Sequence, residues 1–403
     1  MPLVCAAMDR PLDATPLQGM RVVEVAGGVP AAFCTHLLAG YGAEVVRVEG
    51  FDDPTWTLDA DSAVYLLPGK RRVTAGRGAH DDLARLVAGA DVVVVDGRPG
   101  RCDVAAWRRA RPGLVAVTVA PFGQTGPDRD LPADDLIAFA AGGTLSLTGD
   151  PASTPLVTGG AQALWFGGLH AFSAALGAYY GAVVHGSGGW VDLSLQECLA
   201  GALELYAPAA AHGEPAALRF GNYHRAVWAV YPCADGYAGV FCLERQVPAL
   251  FALIGDPELQ DERFTDPLQR PLHDEELSAY VLSFMVQHTG DELLRLGAEH
   301  RIPFGKVRTP AELIAGAALA ERGFLDTVVL PDGPGTAGLG VPPGSMPSGP
   351  VPPGSIPSST VPTGTVRVPG RPFAGFGWSG GGDVPALEDT AALGAVAEAW
   401  GTR

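Results

Sequence analysis

The stretch RVVEVAGGVPAAFCTHLLAGYGAEVVRVE, residues 21–49, decides the fold. It opens with a β-rich apolar run at 21–26, and two glycines then separate that run from a helical stretch at Pro30–Leu38. A second β-rich run follows at Glu44–Glu49. Because these apolar runs flank a helical pattern, the stretch predicts a strand–helix–strand unit whose two strands lie in one parallel sheet.

Later stretches extend the same pattern. The runs DVVVVD at Asp91–Asp96 and LVAVTVA at Leu114–Ala120 are typical of strands buried on both faces of a parallel sheet. The Ala- and Gly-rich stretch Ala161–Val184 predicts a long helix, and Trp190–Leu195 predicts a returning strand. The predicted fold class is therefore α/β, with a Rossmann-like large domain whose N-terminal part covers residues 1–207.

The character of the sequence changes after this first domain. A linker is expected at 208–222, and residues 223–320, with a DG turn and several amphipathic stretches, predict a smaller α+β domain. Near the C-terminus the decamers VPPGSMPSGP and VPPGSIPSST follow each other directly within a Pro/Gly/Ser-rich segment at 341–365. Such a segment cannot supply a core, so it predicts a surface loop; a partner-docking segment is the alternative.

Charge and cysteine content argue against several classes of protein. The formal net charge of −17 disfavours general binding to nucleic acid or to an anionic membrane. The six cysteines are scattered, with no CxxC pair and no Cys/His ligand spacing, so reduced thiols and no metal site are expected. Met1–Pro16 carries charges and no long apolar run, and no charge-free apolar stretch of about 20 residues occurs. The protein is therefore expected to be cytoplasmic.

The first strand-to-helix turn carries a weak signal for a dinucleotide. Glu49 lies about 20 residues after Gly27, where a ribose-binding acid would stand. The turn reads GGVPAA instead of GxGxxG, however, and Pro30 occupies a stretch where glycines would let a pyrophosphate approach. An ordinary α/β turn is therefore favoured. No P-loop, GxSxG elbow or HExxH sequence occurs in the chain.

A set of motifs, in order and spacing, resembles the class III CoA-transferase family, which includes carnitine/bile-acid CoA-transferases, formyl-CoA transferases and α-methylacyl-CoA racemase-like proteins. The most specific fragment is FGQTGP, at Phe122–Pro127. The matching stretches are Phe33–Glu49, Pro68–Thr74, Ala90–Gly100, Pro121–Gly149, Gly188–Glu197, Arg219–Tyr237, Ile302–Leu313 and Gly370–Phe373.

This resemblance implies an assembly and a reaction. Proteins of the family are interlaced homodimers, and each large Rossmann-like domain is built from both ends of the chain, so residues 321–403 are expected to return to it. Acyl-CoA binds at loops of the large domain. An aspartate carboxylate attacks the thioester to give a mixed anhydride, and CoA then returns to form an aspartyl thioester.

The chain departs from the family at the position of that aspartate. The family's Asp-x-x-x-Gly-Leu segment falls on LWFGGL, Leu164–Leu169, so leucine stands where the nucleophile is expected. No Asp or Glu occurs between Pro151 and Trp190, and a small shift of the alignment therefore does not supply one. The resemblance thus predicts that the covalent transfer step is lost.

The expected CoA-binding loops are also altered, since the family's Glu-Asn-Phe stretch is Val95–Gly97 here. Basic side chains suited to phosphate persist close by. The resemblance assigns CoA binding to Lys70, Arg71, Arg72, Arg98, Pro99 and Gly100. A solvated charged face is the alternative interpretation of the basic trio.

Racemase-like members of the family move an α-proton with a His-Asp pair, an Asp and a Glu. These positions match Asp134–Asp135, Leu164 and Glu244, and His170 on the same predicted helix is a further candidate. A base within reach of the α-proton and donors for the enolate oxygen are what this chemistry needs. We therefore predict that Asp134, Asp135, His170 and Glu244 are the catalytic residues.

Each of these residues has a structural alternative. Asp135 is a typical cap for the helix that follows it. His170 could be a core or interface histidine, Asp134 a solvated loop acid, and Glu244 a surface partner of Arg245.

The function expected from these observations is the processing of acyl-CoA, or of another acyl thioester, by acid/base chemistry of the isomerase, racemase or dehydratase type. Two alternatives follow from the same features. Leu164 also fits a non-catalytic subunit that pairs with an aspartate-bearing paralogue, and the altered loops fit a CoA-independent enzyme that reuses the fold. The expected partners are a small acyl thioester and a second copy of the chain, or a paralogue.

Overall fold

The computed structural model describes residues 15–25, 27–51, 56–76, 79–203, 205–213, 219–329, 365–370, 382–383 and 387–401. The chain divides into two compact units. The first unit comprises Met1–Thr144, Thr158–Pro208 and Ala317–Arg403, and the second comprises Leu145–Val157 and Ala209–Gly316.

This division differs from the predicted boundaries chiefly at residues 145–157, which belong to the second unit. The Arg219 guanidinium donates hydrogen bonds to the carbonyl oxygens of Asp150 (3.3 Å) and Ser153 (2.7 Å), so this excursion is held by a residue distant in the chain. The decamer repeat lies outside the described residues, as does the predicted loop 341–365 apart from Thr365.

Strands and helices alternate through the first part of the chain. They are β1 (Arg21–Val25), α1 (Val29–Gly40), β2 (Glu44–Glu49), α2 (Ala60–Leu66), β3 (Lys70–Thr74), α3 (His80–Ala88), β4 (Val92–Asp96), α4 (Val104–Ala110), β5 (Val115–Ala120), α5 (Asp135–Ala141), α6 (Gln162–His185), β6 (Trp190–Ser194), α7 (Leu195–Ala200) and α8 (Tyr206–Ala211).

The later elements include a second, helix-rich set. They are β7 (Tyr223–Arg225), β8 (Trp228–Cys233), β9 (Gly236–Phe241), α9 (Val247–Ile254), α10 (Glu262–Thr265), α11 (Asp274–Met285), α12 (Gly290–His300), β10 (Phe304–Lys306), α13 (Pro310–Ala315), α14 (Ala317–Glu321), β11 (Leu325–Val329), β12 (Thr365–Pro369), β13 (Gly382–Asp383), β14 (Leu387–Glu388) and α15 (Thr390–Trp400). Short 3₁₀ helices lie at Thr144–Leu147, Glu244–Gln246, Pro257–Gln260 and Arg270–His273.

The first unit is organised around a seven-stranded parallel sheet in the order β14-β3-β2-β1-β4-β5-β6. Strand β1 pairs with β2 on one side and β4 on the other, and Val22 faces Val45 and Val92 across these ladders. The chain therefore changes its direction of travel across the sheet at β1. In open α/β sheets such a switch point places ligand sites at the carboxyl ends of the neighbouring strands.

The core of the first unit is completed by the last helix of the chain. Leu393, Val396 and Trp400 of α15 join the buried cluster formed by the valines of the central strands. The Arg21 guanidinium donates to the Trp400 carbonyl oxygen at 3.0 Å, and the Trp400 indole donates to the Glu44 carboxylate at 3.0 Å. The C-terminal part of the chain thus returns to the large domain, where α15 packs against α3 and β3 and forms hydrogen bonds with β1 and β2.

The second unit has an antiparallel sheet in the order β10-β9-β8-β7. Strand β8 alternates exposed and buried side chains, so one face of the sheet is open and the other carries the core. Buried residues of α9, α11 and α12, among them Phe251, Val281 and Leu293, pack against that inner face. This is the smaller α+β unit that the sequence predicts.

A third, three-stranded sheet, β12-β11-β13, belongs to the first unit. Strand β11 pairs antiparallel with β12 and parallel with β13. Within the described ranges of the chain, no helix combines the length and the apolar character required to cross a membrane.

Candidate active site

Close packing of α6 against α1 fixes the place of Leu164. The side chain of Leu164 is 8% exposed and lies in the first turn of α6, two residues after the helix begins at Gln162. One turn later, a Cβ at Gly168 would come within 2.8 Å of the Pro30 carbonyl oxygen, so the two helices approach closely because position 168 has no side chain. The packing on α1 therefore holds the N-terminal end of α6. This is the end where the resemblance places the family's nucleophile.

Asp135 lies directly against this first turn. Its Oδ1 atom accepts a hydrogen bond from the backbone N–H of Leu164 at 3.1 Å. The side chain is half-buried, and burial raises the pKa of the Asp135 carboxyl although the amides of Leu164 and Ala163 act to lower it. Among the predicted acid/base residues, Asp135 is the one that the fold brings to Leu164.

The helix-capping role belongs to Asp134, not to Asp135. Asp134 has extended backbone angles and its carboxylate accepts the N–H of Ile137 at 3.1 Å, whereas Asp135 is the first residue of α5. The prediction that Asp135 caps the following helix is therefore wrong by one residue. Because the carboxylate of Asp134 is used by the cap, it is directed to α5 rather than to Leu164.

His170 lies on a different face of α6. It is exposed, its Nδ1 lies 3.0 Å from the Phe166 carbonyl oxygen, and its ring meets the Phe166 ring edge to face. A carbonyl oxygen can only accept, so this contact requires a proton on Nδ1. His170 lines a cavity of about 370 Å³ together with Glu197 and Cys198. The interpretation of His170 as a core histidine is therefore wrong.

Glu244 belongs to the second unit and is paired there. Both of its carboxylate oxygens accept from Nη1 of Arg270, at 2.7 and 2.9 Å. Arg270 is buried and also donates to the Phe264 carbonyl oxygen at 2.6 Å. The expected pairing of Glu244 with Arg245 is wrong, and the catalytic role of Glu244 stays a prediction.

The basic trio of β3 does not form one phosphate-binding surface. Lys70 is buried, and its ammonium donates to Glu24 (2.9 Å), to the Ala32 carbonyl oxygen (2.8 Å) and to the Thr35 hydroxyl (2.8 Å). These three acceptors use all three donors of the ammonium group. The structure therefore gives Lys70 internal partners, and its contact with a CoA phosphate stays a prediction.

Arg72 and Arg71 have carboxylate partners of their own. Arg72 is fully buried and donates to both oxygens of Glu49, at 2.8 and 3.2 Å. Arg71 points the other way, is exposed, and donates to both oxygens of Glu388 on β14, at 2.8 and 2.7 Å. For both arginines, contact with a CoA phosphate stays a prediction; a phosphate would have to replace Glu49 at Arg72 and Glu388 at Arg71.

We call the buried group Glu24, Arg47, Glu49, Lys70 and Arg72 the charged cluster. Arg47 bridges the two acids, because it donates to Glu24 and, at 3.0 Å, to Glu49. Burial acts to raise the pKa of Glu24, but the charges of Arg47 and Lys70 outweigh it and lower that pKa to about 2. Burial lowers the pKa of Lys70 to about 8, against the attraction of Glu24. The charged cluster therefore holds β1, β2 and β3 together.

The turn Arg98–Gly100 follows β4 at the carboxyl edge of the sheet, where the prediction for CoA binding still stands. Gly100 has a φ of +75°, which permits the tight turn. Arg101 anchors it by donating to the carbonyl oxygens of Asp96 (2.9 Å) and Phe51 (2.7 Å). Contact of Arg98, Pro99 and Gly100 with a phosphate stays a prediction.

Asp96 is a site residue that the sequence reasoning missed. Its carboxylate accepts the backbone N–H groups of Gly27 and Gly28, each at 3.2 Å, and that of Ala31 at 3.4 Å. These amides form the N-terminal end of α1, which is where an anionic ligand would bind. The Asp96 carboxylate therefore occupies the position where an anionic ligand would bind. This agrees with the sequence analysis, which favours an ordinary α/β turn here over a dinucleotide site.

Asp192 plays a similar part at the loop FGQTGP. Both of its carboxylate oxygens accept the Gln124 backbone N–H, at 2.9 and 3.0 Å. Gly123 has a φ of +83° and lies against the same carboxylate. Asp192 of β6 thus holds the loop that follows β5. The glycine in the FGQTGP sequence allows the backbone turn that this contact needs.

The sheet is parallel and doubly wound, and the loops at its carboxyl edge are anchored. A half-buried carboxylate lies at the first turn of a long helix. These features are those of an α/β enzyme of the Rossmann-like class. The family model of CoA-transferase family III matches residues 17–350. The chain therefore belongs to this family, as its motifs predicted.

Individual relatives agree with this assignment. The succinate–glutarate CoA-transferase of Agrobacterium fabrum is 29% identical over 363 residues, which cover 83% of this chain and 90% of the relative. The succinyl-CoA–L-malate CoA-transferase beta subunit of Chloroflexus aurantiacus is 33% identical over 209 residues, 47% of this chain and 51% of that subunit. The crystal structure of a CAIB/BAIF family protein from Brucella suis superposes with a TM-score of 0.69 at 30% identity, covering 77% of this chain and 89% of that one. The predicted family and fold class are confirmed.

Proposed function

We propose that this chain processes acyl thioesters by proton transfer at the carbon next to the thioester carbonyl, with Asp135 as the acid/base group. The observation that carries the proposal is the contact of the Asp135 carboxylate with the Leu164 amide, 3.1 Å away. The fold thereby supplies a carboxylate beside the position where the family's aspartate is expected and leucine stands. The carboxylate comes from α5 instead of α6, and one of its oxygens is already bound to the backbone.

The proposed reaction has two steps, the removal and the return of a proton. The Asp135 carboxylate removes the α-proton, and the electron pair of that C–H bond moves to the carbonyl oxygen to give a thioester enolate. The N-terminal end of α6 carries partial positive charge and lies at this place, so it favours the developing negative charge. The carboxyl proton of Asp135 exchanges with solvent, and Asp135 then returns a proton to the same face of the carbon, so the α-hydrogen is exchanged with retention of configuration.

The raised pKa of Asp135 supports this role. A carboxyl whose pKa lies above its ordinary value is a stronger base, and it exchanges protons more readily near neutral pH. Asp134 is used by a helix cap, and Glu244 is bound to Arg270.

We further propose that the turn Arg98–Gly100, at the carboxyl edge of the sheet, contacts the CoA phosphates.

The test is α-proton exchange in deuterated water, followed by mass spectrometry of acyl-CoA thioesters incubated with the protein. We expect Asp135→Asn to lower the exchange rate by about 10²–10⁴-fold, the usual contribution of a general acid/base group. The matched control is Asp134→Asn, because asparagine is as good a helix cap as aspartate. Equal loss of exchange in the two variants, or wild-type exchange in Asp135→Asn, would contradict the assignment.

A stability measurement separates this role from a structural one. The raised pKa means that the folded state binds the proton of Asp135 more tightly than the unfolded state, so the charged form opposes folding at neutral pH. Asp135→Asn keeps an oxygen for the Leu164 amide and removes that charge. We therefore expect its unfolding free energy at pH 7 to equal or exceed that of the wild type, and a large decrease would indicate a structural role.

A second candidate function is a non-catalytic subunit of a heteromeric CoA-transferase. The similarity to the Chloroflexus aurantiacus beta subunit, over half of that subunit's length, favours a heteromeric assembly, and Leu164 at the expected aspartate position favours the loss of catalysis. The two candidates differ in assembly, because the proposed enzyme is a homodimer that acts alone. Native mass spectrometry of the purified chain, combined with the exchange assay, distinguishes them: a stable, active homodimer argues for the first candidate, and an inactive monomer for the second.

A further inference from the structure

A cavity of about 370 Å³ lies among α1, α5, α6 and α7 in the first unit. Its walls come from Phe33 of α1, Phe139 of α5, and Trp165, Phe166 and Leu169 of α6. This volume lies at the lower end of the roughly 300–1,000 Å³ that is usual for small-molecule sites. A compact group, not a whole CoA molecule, is what such a cavity can hold.

The cavity lies about one helical turn from the proposed acid/base group. Phe139 follows Asp135 by four residues in α5, so the two side chains lie on the same face of that helix. Gln162 and Trp165, which both line the cavity, belong to the same turn of α6 as Leu164. Phe139 and the first turn of α6 therefore connect the cavity to the region of Asp135.

The walls are apolar and well fixed. The rings of Phe33 and Trp165 meet edge to face with their centres 4.9 Å apart, and Phe33 lies against Gly168 where the two helices are closest. Among the described residues, the side chains that line the cavity include two polar ones, Thr144 and Gln162, and none that is basic. A carboxylate entering this cavity would lose its water without gaining a cation.

We propose that this cavity receives the acyl group of the thioester, and that this group is apolar, either aromatic or branched aliphatic. The inference rests on the proposed function and names its substrate class. It sets the chain apart from the relatives whose names refer to succinate, glutarate and malate, because the acyl groups of these dicarboxylic acids keep a free carboxylate. Such a carboxylate needs a basic partner, and the described side chains that line the cavity supply none.

The test is isothermal titration of the full-length protein with phenylacetyl-CoA, isovaleryl-CoA, succinyl-CoA and CoA itself. We expect the two apolar thioesters to bind at least about tenfold more tightly than succinyl-CoA, as for other apolar pockets. Trp165 provides a positional readout, since the apolar thioesters should change tryptophan fluorescence in the wild type. In Trp165→Phe this change should be much smaller while titration still detects binding.

A charge variant makes the inference sharper. Leu169→Arg puts a cation on the cavity wall, and we expect it to reduce the preference for phenylacetyl-CoA over succinyl-CoA by at least about tenfold. The matched control is Tyr180→Arg, which adds the same charge to an exposed position of the same helix outside the cavity. We expect this control to keep the wild-type preference.

The outcomes distinguish the inferred acyl group from the proposed function. Binding of CoA thioesters without preference, or with preference for succinyl-CoA, would overturn the inference about the acyl group and leave the proposed function standing. Failure of every thioester and of CoA to bind would overturn the proposed function, and the inference with it.

Discussion

The charged cluster beneath α1 and the first turn of α6 each contain a carboxylate removed from water, but the two carboxylates have different partners. Glu24 is fully buried, and it contacts the positive charges of Arg47 and Lys70. Asp135 is half-buried, and its partners are backbone amides, including that of Leu164. One carboxylate is neutralised by side chains, whereas the other is oriented by the backbone.

The difference shows in the direction of the two pKa shifts. The pKa of Glu24 is lowered to about 2, so this group is a permanent anion at any working pH. The pKa of Asp135 is raised, because burial outweighs the hydrogen bonds that it accepts. Burial of a carboxylate therefore does not by itself indicate function; the presence or absence of a compensating cation decides whether it can exchange a proton.

The largest expected effect tests whether the first turn of α6 is the family's reaction centre. Leu164→Asp restores a nucleophile at this position, and we expect transfer of CoA between a thioester and a carboxylic acid to rise by about two orders of magnitude or more. Exchange of labelled CoA between acids measures it. Leu164→Asn is the control of equal size without a nucleophile, and equal inactivity of the two variants would contradict the alignment of position 164.

The next effect tests the charged cluster as a purely structural element. Lys70→Met removes one cation from Glu24, and we expect the unfolding free energy to fall by about 3–5 kcal/mol, as for other broken buried pairs. Urea unfolding followed by tryptophan fluorescence measures this change. A loss below about 1 kcal/mol would mean that Lys70 is not held as the structure shows.

A third prediction concerns the pH at which Asp135 and Glu24 take up a proton, which should differ between these two carboxylates of the same protein. Asp135 must be charged to act as a base, so activity should decline on acidification at a pH above the ordinary aspartate pKa of about 3.9. Glu24 has a lowered pKa, so its contribution to stability is complete above the ordinary value of 4.5 and disappears as the pH falls through about 2.

The protein should therefore lose α-proton exchange at a pH where circular dichroism still reports a folded chain. Coincident loss of activity and of structure would remove the distinction between the two regions. Asp135→Asn should show no such acidic decline in its residual rate, which provides the control.

The smallest effect is expected beside Lys70 in the same strand. Arg71 forms its ion pair with Glu388 in solvent, and both side chains are substantially exposed. Arg71→Met should change the unfolding free energy by no more than about 1 kcal/mol, because exposed pairs are screened by water and salt. A change as large as that of Lys70→Met would show that β14 is held chiefly by this pair.

Much of the fold could be predicted because its signals are local. Strand β2 has the predicted bounds, Glu44–Glu49, and α6 begins and ends within one residue of the predicted Ala161–Val184. Apolar runs and glycines determine these elements through neighbouring residues. The assignment of residues 145–157 to the second unit was not predictable in this way, since it depends on Arg219.

The site was less predictable, because its contacts join distant residues. Lys70 and Arg72 look like part of a basic phosphate site until Glu24 and Glu49 are placed beside them in the sheet. The adjacent residues Asp134 and Asp135 have different tasks because one residue decides where α5 begins. The contact of Asp135 with Leu164 follows from the packing of two helices that no motif connects.

The attachment of α15 to the first strands also has a consequence for biosynthesis. Arg21 receives its partner, the Trp400 carbonyl oxygen, after 379 further residues have been added. At 5–20 residues per second, translation takes about 20–80 s to supply them. The second unit, 145–157 together with 209–316, has been synthesised before that moment. During this interval the nascent large domain lacks α15, so part of its apolar core stays exposed. Chaperones would bind it most readily at this stage.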